Sequence, residues 1–119
     1  MRKPLTESQI QRAFIEWCRW NEARYPALRL GHAIPNGAKR NIVVATILKR
    51  EGVRAGMPDW SLPVARGGYA GLWVEFKLPG GKPSVPQKSV ISLLRMHHHR
   101  VEICYSTEEA IRMVKEYLA

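Results

Sequence analysis

Gly56-Met57-Pro58-Asp59-Trp60-Ser61-Leu62, then Arg66-Gly67-Gly68-Tyr69-Ala70-Gly71, then Leu72-Trp73-Val74-Glu75-Phe76-Lys77 is the stretch that decides how this chain is read. Two apolar-rich runs flank a glycine-punctuated turn, which predicts a β-hairpin. Side chains alternate along a strand, so Leu72, Val74 and Phe76 go to one face and Trp73, Glu75 and Lys77 to the other. If the first strand starts beside the end of the second, Asp59 arrives next to Glu75. Two carboxylates and one ammonium then share a small volume.

Neighbouring carboxylates repel, and a divalent cation relieves the repulsion by taking oxygen ligands from both; Mg²⁺ commonly uses one or two carboxylates and keeps several waters. A lysine beside such an ion can orient or deprotonate an attacking water, or offset charge developing on a phosphate. The pattern is P-D, fifteen residues, E-x-K. Asp, Glu and Lys are common residues, and taken alone the three fit the solvated outer face of a hairpin better than a metal site.

Composition narrows the partner. The chain has 119 residues, 45% of them hydrophobic, which predicts one folded domain over residues 1–119 with a single core. Nineteen Lys and Arg against ten Asp and Glu give a net charge of +9. That excess points to a polyanion, nucleic acid ahead of an anionic membrane, although many small basic proteins are simply soluble. Cys18 and Cys104 lie far apart in apolar surroundings and are expected as buried reduced thiols. No apolar run approaches transmembrane length, no apolar segment follows Arg2 and Lys3, and no segment joins a strong apolar face to a basic one. The expected location is the cytoplasm, with no membrane role.

The remaining elements follow from caps and periodicity. Thr6 with Gln9 opens a helix to about Trp20, with Ile10, Phe14, Trp17 and Cys18 as its apolar stripe. Glu7 points along that stripe, so it either serves a site or is a helix-end acid favoured by the macrodipole. Residues 28–34 are expected as a short strand entering the loop Pro35 to Arg40, where Asn36, Lys39 and Arg40 suit phosphate contacts or are solvated turn residues. Asn41 caps a helix to Glu51, closed by Gly52, with Ile42, Val44, Ala45 and Leu48 expected inward. Beyond the hairpin, Lys82 sits in a glycine- and proline-rich loop as another candidate DNA contact. Ser84 with Gln87 opens a third helix, and Gln87 either reaches the site or only caps. Consecutive helical residues diverge too far for His97, His98 and His99 to close around one ion. Val101 to Tyr105 is expected as a strand, and Ser106 with Glu109 opens a last helix presenting Ala110, Val114, Tyr117 and Leu118 to the core. The order is α, β, α, β, β, α, β, α: a mixed α/β domain, its central sheet covered by helices.

Ile34-Pro35-Asn36-Gly37, Leu48 to Asp59 with its E-G-V-x-x-G-x-P-D pattern, Glu75-Phe76-Lys77 and Ser84-Val85-Pro86-Gln87 resemble the VRR-NUC domain of stand-alone viral and bacterial type. This is the virus-type replication-repair nuclease branch of the PD-(D/E)xK nucleases, and the resemblance runs in family order from about Thr6 to Leu118. It implies an α/β restriction-endonuclease-like core, a central mixed β-sheet flanked by helices. It implies a DNA endonuclease dependent on Mg²⁺ or Mn²⁺, leaving 5′-phosphate and 3′-hydroxyl ends. Asp59 and Glu75 would ligate the metal, with the Phe76 carbonyl as a further ligand and Glu7 acting directly or through water. Lys77 would orient or activate the attacking water, and Gln87 would lie near the site. A glycine is usual in the family near the histidine run and is missing here. Family likeness further implies a homodimer that resolves four-way DNA junctions, in a bacterial cell or phage-infected host. The alternatives are a less selective flap or duplex nuclease, and a non-catalytic basic module that binds nucleic acid.

Overall fold

Each helix begins where a side chain takes one of its otherwise unpaired first amides. The computed structural model describes residues 4–35 and 41–119, so Asn36, Lys39 and Arg40 fall outside the described residues. Thr6 caps α1 (Glu7–Trp20), accepting from the Gln9 amide at 3.1 Å while Gln9 Oε1 accepts from Thr6 N at 2.9 Å. Asn41 caps α2 (Ile42–Arg50), Ser84 caps α3 (Val85–Met96) and Ser106 caps α4 (Thr107–Leu118). Such caps are each worth about 1 kcal/mol. They set where the helices start, not where they pack.

The strands β1 (His32–Ala33), β2 (Trp60–Leu62), β3 (Leu72–Phe76) and β4 (Arg100–Cys104) form one sheet in that order. The first three are antiparallel, and β4 joins β3 in parallel after the α3 crossover. Leu72, Val74 and Phe76 are fully buried on one face, as their alternation predicts. Ile10, Phe14 and Cys18 of α1 and Ala110, Val114 and Tyr117 of α4 close over them. Phe14 meets Trp60 edge-on at 4.9 Å and lies 5.5 Å from Phe76. Aromatic pairs add about 0.5–1.5 kcal/mol each beyond their buried area. Trp60 follows Asp59 and Phe76 follows Glu75, so this cluster fixes α1 against the two strands that carry the carboxylates. The opposite face, with Trp73, Glu75, Val101 and Ile103, lies under α3.

Both cysteines are free and buried, and burial pushes their thiols up to about 12. Among the described residues no helix is long and apolar enough to cross a membrane. The histidine run turns the chain into β4. His98 takes a φ of 67°, supplying the left-handed turn that glycine usually provides, and His99 Nδ1 accepts from the Trp73 indole at 3.1 Å.

Three expectations are corrected. Residues 28–34 are not one strand: Pro26–Leu30 is a 3₁₀ turn and only His32–Ala33 pairs with the sheet. Proline at the turn's start favours the tight helical φ, and Gly31 then passes so close to Trp60 that an added Cβ would lie 2.3 Å from the indole. Ile42 does not pack inward. It is 81% exposed, no α2 residue is buried, and α2 has no close packing partner among the described elements. Glu7 follows the stripe in angle but is exposed, because the first residue of α1 extends past the end of the core.

Candidate active site

The register Trp60↔Val74 and Leu62↔Leu72, continued by one residue and then by a second, sets Asp59 across from Glu75 and Pro58 across from Phe76. Asp59 then leaves the ladder pattern. Its main-chain carbonyl accepts from Ile34 N at 2.8 Å, on the β1 side, while its carboxylate Oδ2 accepts the Phe76 amide at 2.7 Å. The aspartate is therefore held from both neighbouring strands, its charge at the open end of the hairpin.

Glu75 is only 2% exposed, unlike an ordinary outer-face glutamate. α3 covers it. Gln87 Nε2 donates to Glu75 Oε2 at 3.0 Å, and Gln87 Oε1 accepts from Ser84 N at 2.8 Å. One carboxamide thus completes a capping box and orients a buried carboxylate, so both functions considered for Gln87 are met by the same side chain. The approach depends on Gly56, at φ +87°, where an added Cβ would stand 2.7 Å from the Pro86 carbonyl oxygen. Neither Gly56 nor Pro58 stands out as a site residue in the sequence; a glycine two residues before a Pro-Asp pair is the available signal.

Burial raises the Glu75 carboxyl to about 9, reinforced by its hydrogen bond with Asp59 and the Asp59 charge; Lys77 opposes the shift and Glu7 adds to it. The proton that this shift keeps on Glu75 lies on the side of its hydrogen bond with Asp59. Lys77 leaves β3 on the same face as Glu75 and is half-buried. Glu7 stands outside this contact but near enough for its charge to be felt. Lys82 is exposed in the loop after Lys77 and takes no part in the hydrogen-bonded cluster.

The family model of the VRR-NUC domain matches residues 5–108. The chain belongs to the VRR-NUC family. A solved structure of a "VRR_NUC domain protein" superposes with a TM-score of 0.80 at 27% sequence identity, covering 97% of this chain and 89% of that one. No curated protein matches the chain. This VRR-NUC protein is accordingly a nuclease of the PD-(D/E)xK superfamily, with nucleic acid as its substrate class, and nucleases of that superfamily generally use divalent metal ions.

The VRR-NUC site has the donor chemistry for such an ion. A buried carboxyl whose ionisation is held back beside a second carboxylate is a hard oxygen pair in which a divalent cation can take the place of the proton. A third oxygen lies beside them. The β4 ladder uses Lys77 N, so the Phe76 N–H and carbonyl face β2; Pro58, opposite, has no N–H to give that carbonyl. The Phe76 oxygen is left on Asp59's side of the strand. Among the described residues no three His, Cys, Asp or Glu side chains gather as metal ligands, so Glu7 is not drawn into a three-carboxylate cluster.

The proton held on Glu75 sets a pH dependence. Unfolded, both carboxyls ionise above their ordinary range near 4; folded, Glu75 keeps its proton to about 9. The native state binds more protons across that window. Stability without metal is therefore expected to be fully retained below about pH 4 and to fall as pH rises towards 9, by at most about 1.4 kcal/mol per pH unit. Glu75→Gln is expected to flatten the slope. Urea midpoints in EDTA between about pH 5 and 9 check this, and equal slopes for the two proteins would contradict it.

Proposed function

We propose that this nuclease is a Mg²⁺- or Mn²⁺-dependent, structure-selective DNA endonuclease, acting as a homodimer that resolves four-way junctions. The observation that carries the catalytic part is the Asp59–Glu75 pair, joined by a hydrogen bond beside Lys77 with Gln87 locked onto Glu75. Asp59, Glu75 and the Phe76 carbonyl would hold the ion, with Glu7 assisting through water. When bound, the ion supplies a Lewis acid for the scissile phosphate and a more acidic water. Lys77 would orient the attacking water or take its proton for in-line attack, and would face the charge that develops on the phosphate. Gln87 keeps the Glu75 carboxylate aimed. A 5′-phosphate and a 3′-hydroxyl are the expected products. Asn36, Lys39, Arg40 and Lys82 are proposed as phosphate contacts that position the DNA.

The dimer rests on α2. The apolar stripe of α1 is consumed by the protein's own core, whereas α2 exposes Ile42, Val43 and Ile47 and buries nothing. Isolated helices shorter than about 12–15 residues are marginal in water, so a nine-residue helix with a bare apolar face needs a cover. A second copy, related by a two-fold axis, supplies that cover and matches the pseudo-symmetry of a four-way junction. Ile42→Asp/Ile47→Asp is expected to convert the dimer to a monomer in sedimentation velocity. Paired symmetric cuts in the junction would become single nicks; a variant that stays dimeric would displace the interface from α2.

The deciding experiment is a gel assay on a labelled four-way junction and a matched linear duplex, with Mg²⁺, with Mn²⁺ and with EDTA. Metal-dependent symmetric nicks confined to the junction support the proposal. Equal cleavage of both substrates replaces it with a less selective nuclease. Binding without cleavage under either metal leaves only the basic binding module.

A further inference from the structure

At the far end of α1 from Glu7, Trp20 is 81% exposed, whereas Trp60 is buried and Trp17 and Trp73 are half-buried. It is not on a frayed end. The Asn21 side chain and amide close the helix onto the Trp17 carbonyl at 2.8 and 3.1 Å, and the 3₁₀ turn follows directly. An open recess of about 470 Å³ lies there, lined by Arg19, Trp20, Glu22, Ala23, Pro26 and Arg29. Two neighbouring cations already cover rings, Arg24 over Tyr25 and Lys115 over Trp17. Arg19 and Arg29 do not, and neither forms an ion pair among the described residues. An exposed indole that lines one recess with two guanidinium groups, neither ion-paired among the described residues, offers a flat apolar face and two sites for anions.

We infer that this recess holds an unpaired nucleotide of the nucleic-acid substrate, its base stacked on Trp20 and its flanking phosphates on Arg19 and Arg29. The inference rests on the nuclease reading. A closed duplex turns its phosphates outward and hides the faces of its bases, so an indole has nothing to stack on there; a single strand presents both. Glu22, the one acid on the rim, is an acceptor for a base's amino group and repels phosphate from that side. Thirteen residues of α1 separate Glu7 from Trp20, about 20 Å at 1.5 Å per residue. At a stacked spacing of about 3.4 Å, that is about six nucleotides from Glu7, the end of α1 whose charge reaches Glu75. The platform therefore favours branched substrates that carry an unpaired strand of about that length, as a flap does and a fully paired four-way junction does not.

Fluorescence anisotropy in EDTA tests this without requiring cleavage, using labelled duplexes with blunt ends or with single-stranded tails of three and eight nucleotides. Trp20→Ala is expected to weaken the eight-nucleotide tailed duplex by about 5- to 100-fold and to bring its affinity towards that of the blunt one. Trp20→Phe, which keeps a ring, restores most of the loss. Arg19→Ala/Arg29→Ala is expected to reduce the salt slope of single-strand binding by about 1.4, two contacts at about 0.7 each. The wild-type preference appears with the eight-nucleotide tail and not with three. Equal affinity of wild type and Trp20→Ala for the longer tail overturns the inference. So does a Trp20→Ala protein that loses dimerisation in sedimentation velocity while a monomeric control binds tails normally, since the recess would then be an interface between copies. A wild-type protein that discriminates tails in EDTA yet cleaves nothing with metal would remove the nuclease reading and leave the platform standing.

Discussion

Lys77→Ala is expected to lower the metal-dependent cleavage rate by about 10²–10⁴-fold, the range for removing a positioned proton acceptor or charge stabiliser. Lys77 is half-buried on the same face of β3 as Glu75, which places an ammonium beside a carboxylate pair and the space where a phosphate must come. The alanine keeps the main-chain bond from residue 77 to the Cys104 carbonyl, so β3 and β4 stay joined. Its removal also takes away a charge that favours Glu75 ionisation, so the Glu75 proton is held more tightly. DNA affinity in EDTA is expected to change far less than the rate, since one cation among nineteen is lost. Single-turnover rates with saturating enzyme and Mg²⁺ make the measurement. Cleavage at the wild-type rate would remove Lys77 from the mechanism.

Asp59 separates chemistry from scaffolding in one residue. Asp59→Asn is expected to lose about 10³-fold in cleavage or more, because on the proposed mechanism the several kcal/mol of transition-state stabilisation from a bound cation would depend on this carboxylate's charge. The asparagine still accepts from the Phe76 amide, so the thermal midpoint should stay close to that of the wild type. Asp59→Ala should be as inactive, yet it leaves that amide without its acceptor. An unsatisfied part-buried donor costs about 1–3 kcal/mol. Two inactive variants with different melting temperatures are the expected signature. If Asp59→Asn cleaves within tenfold of the wild type, Asp59 is structural only.

How the site was legible follows from which interactions are local. The Glu75 and Lys77 alternation, the Thr6, Asn41, Ser84 and Ser106 caps, and the Ile10, Phe14, Cys18 stripe each depend on a spacing of a few residues, which a sequence displays directly. The P-D and E-x-K segments likewise announced two strands whose ends meet. Where the reading went astray, the deciding partner was distant in sequence. Residues 28–34 look apolar enough for a strand, but Gly31 is set by the Trp60 indole, twenty-nine residues on. Ile42 sits at the right period for a core helix, yet none of the described elements packs closely on it.

The sequence by itself determined the element order, the sheet's two faces, the helix starts and the chemical identity of the carboxylates and lysine, because propensity, capping and alternation act between near neighbours. The tertiary structure decided that Glu75 is buried with its carboxyl pushed up, that Gln87 caps and orients at once, that Pro58 offers the Phe76 carbonyl no N–H, and that Glu7 stays outside the cluster. Those outcomes depend on desolvation and on one strand's register against another. Both are sums over groups that only folding brings together, so no local spacing encodes them.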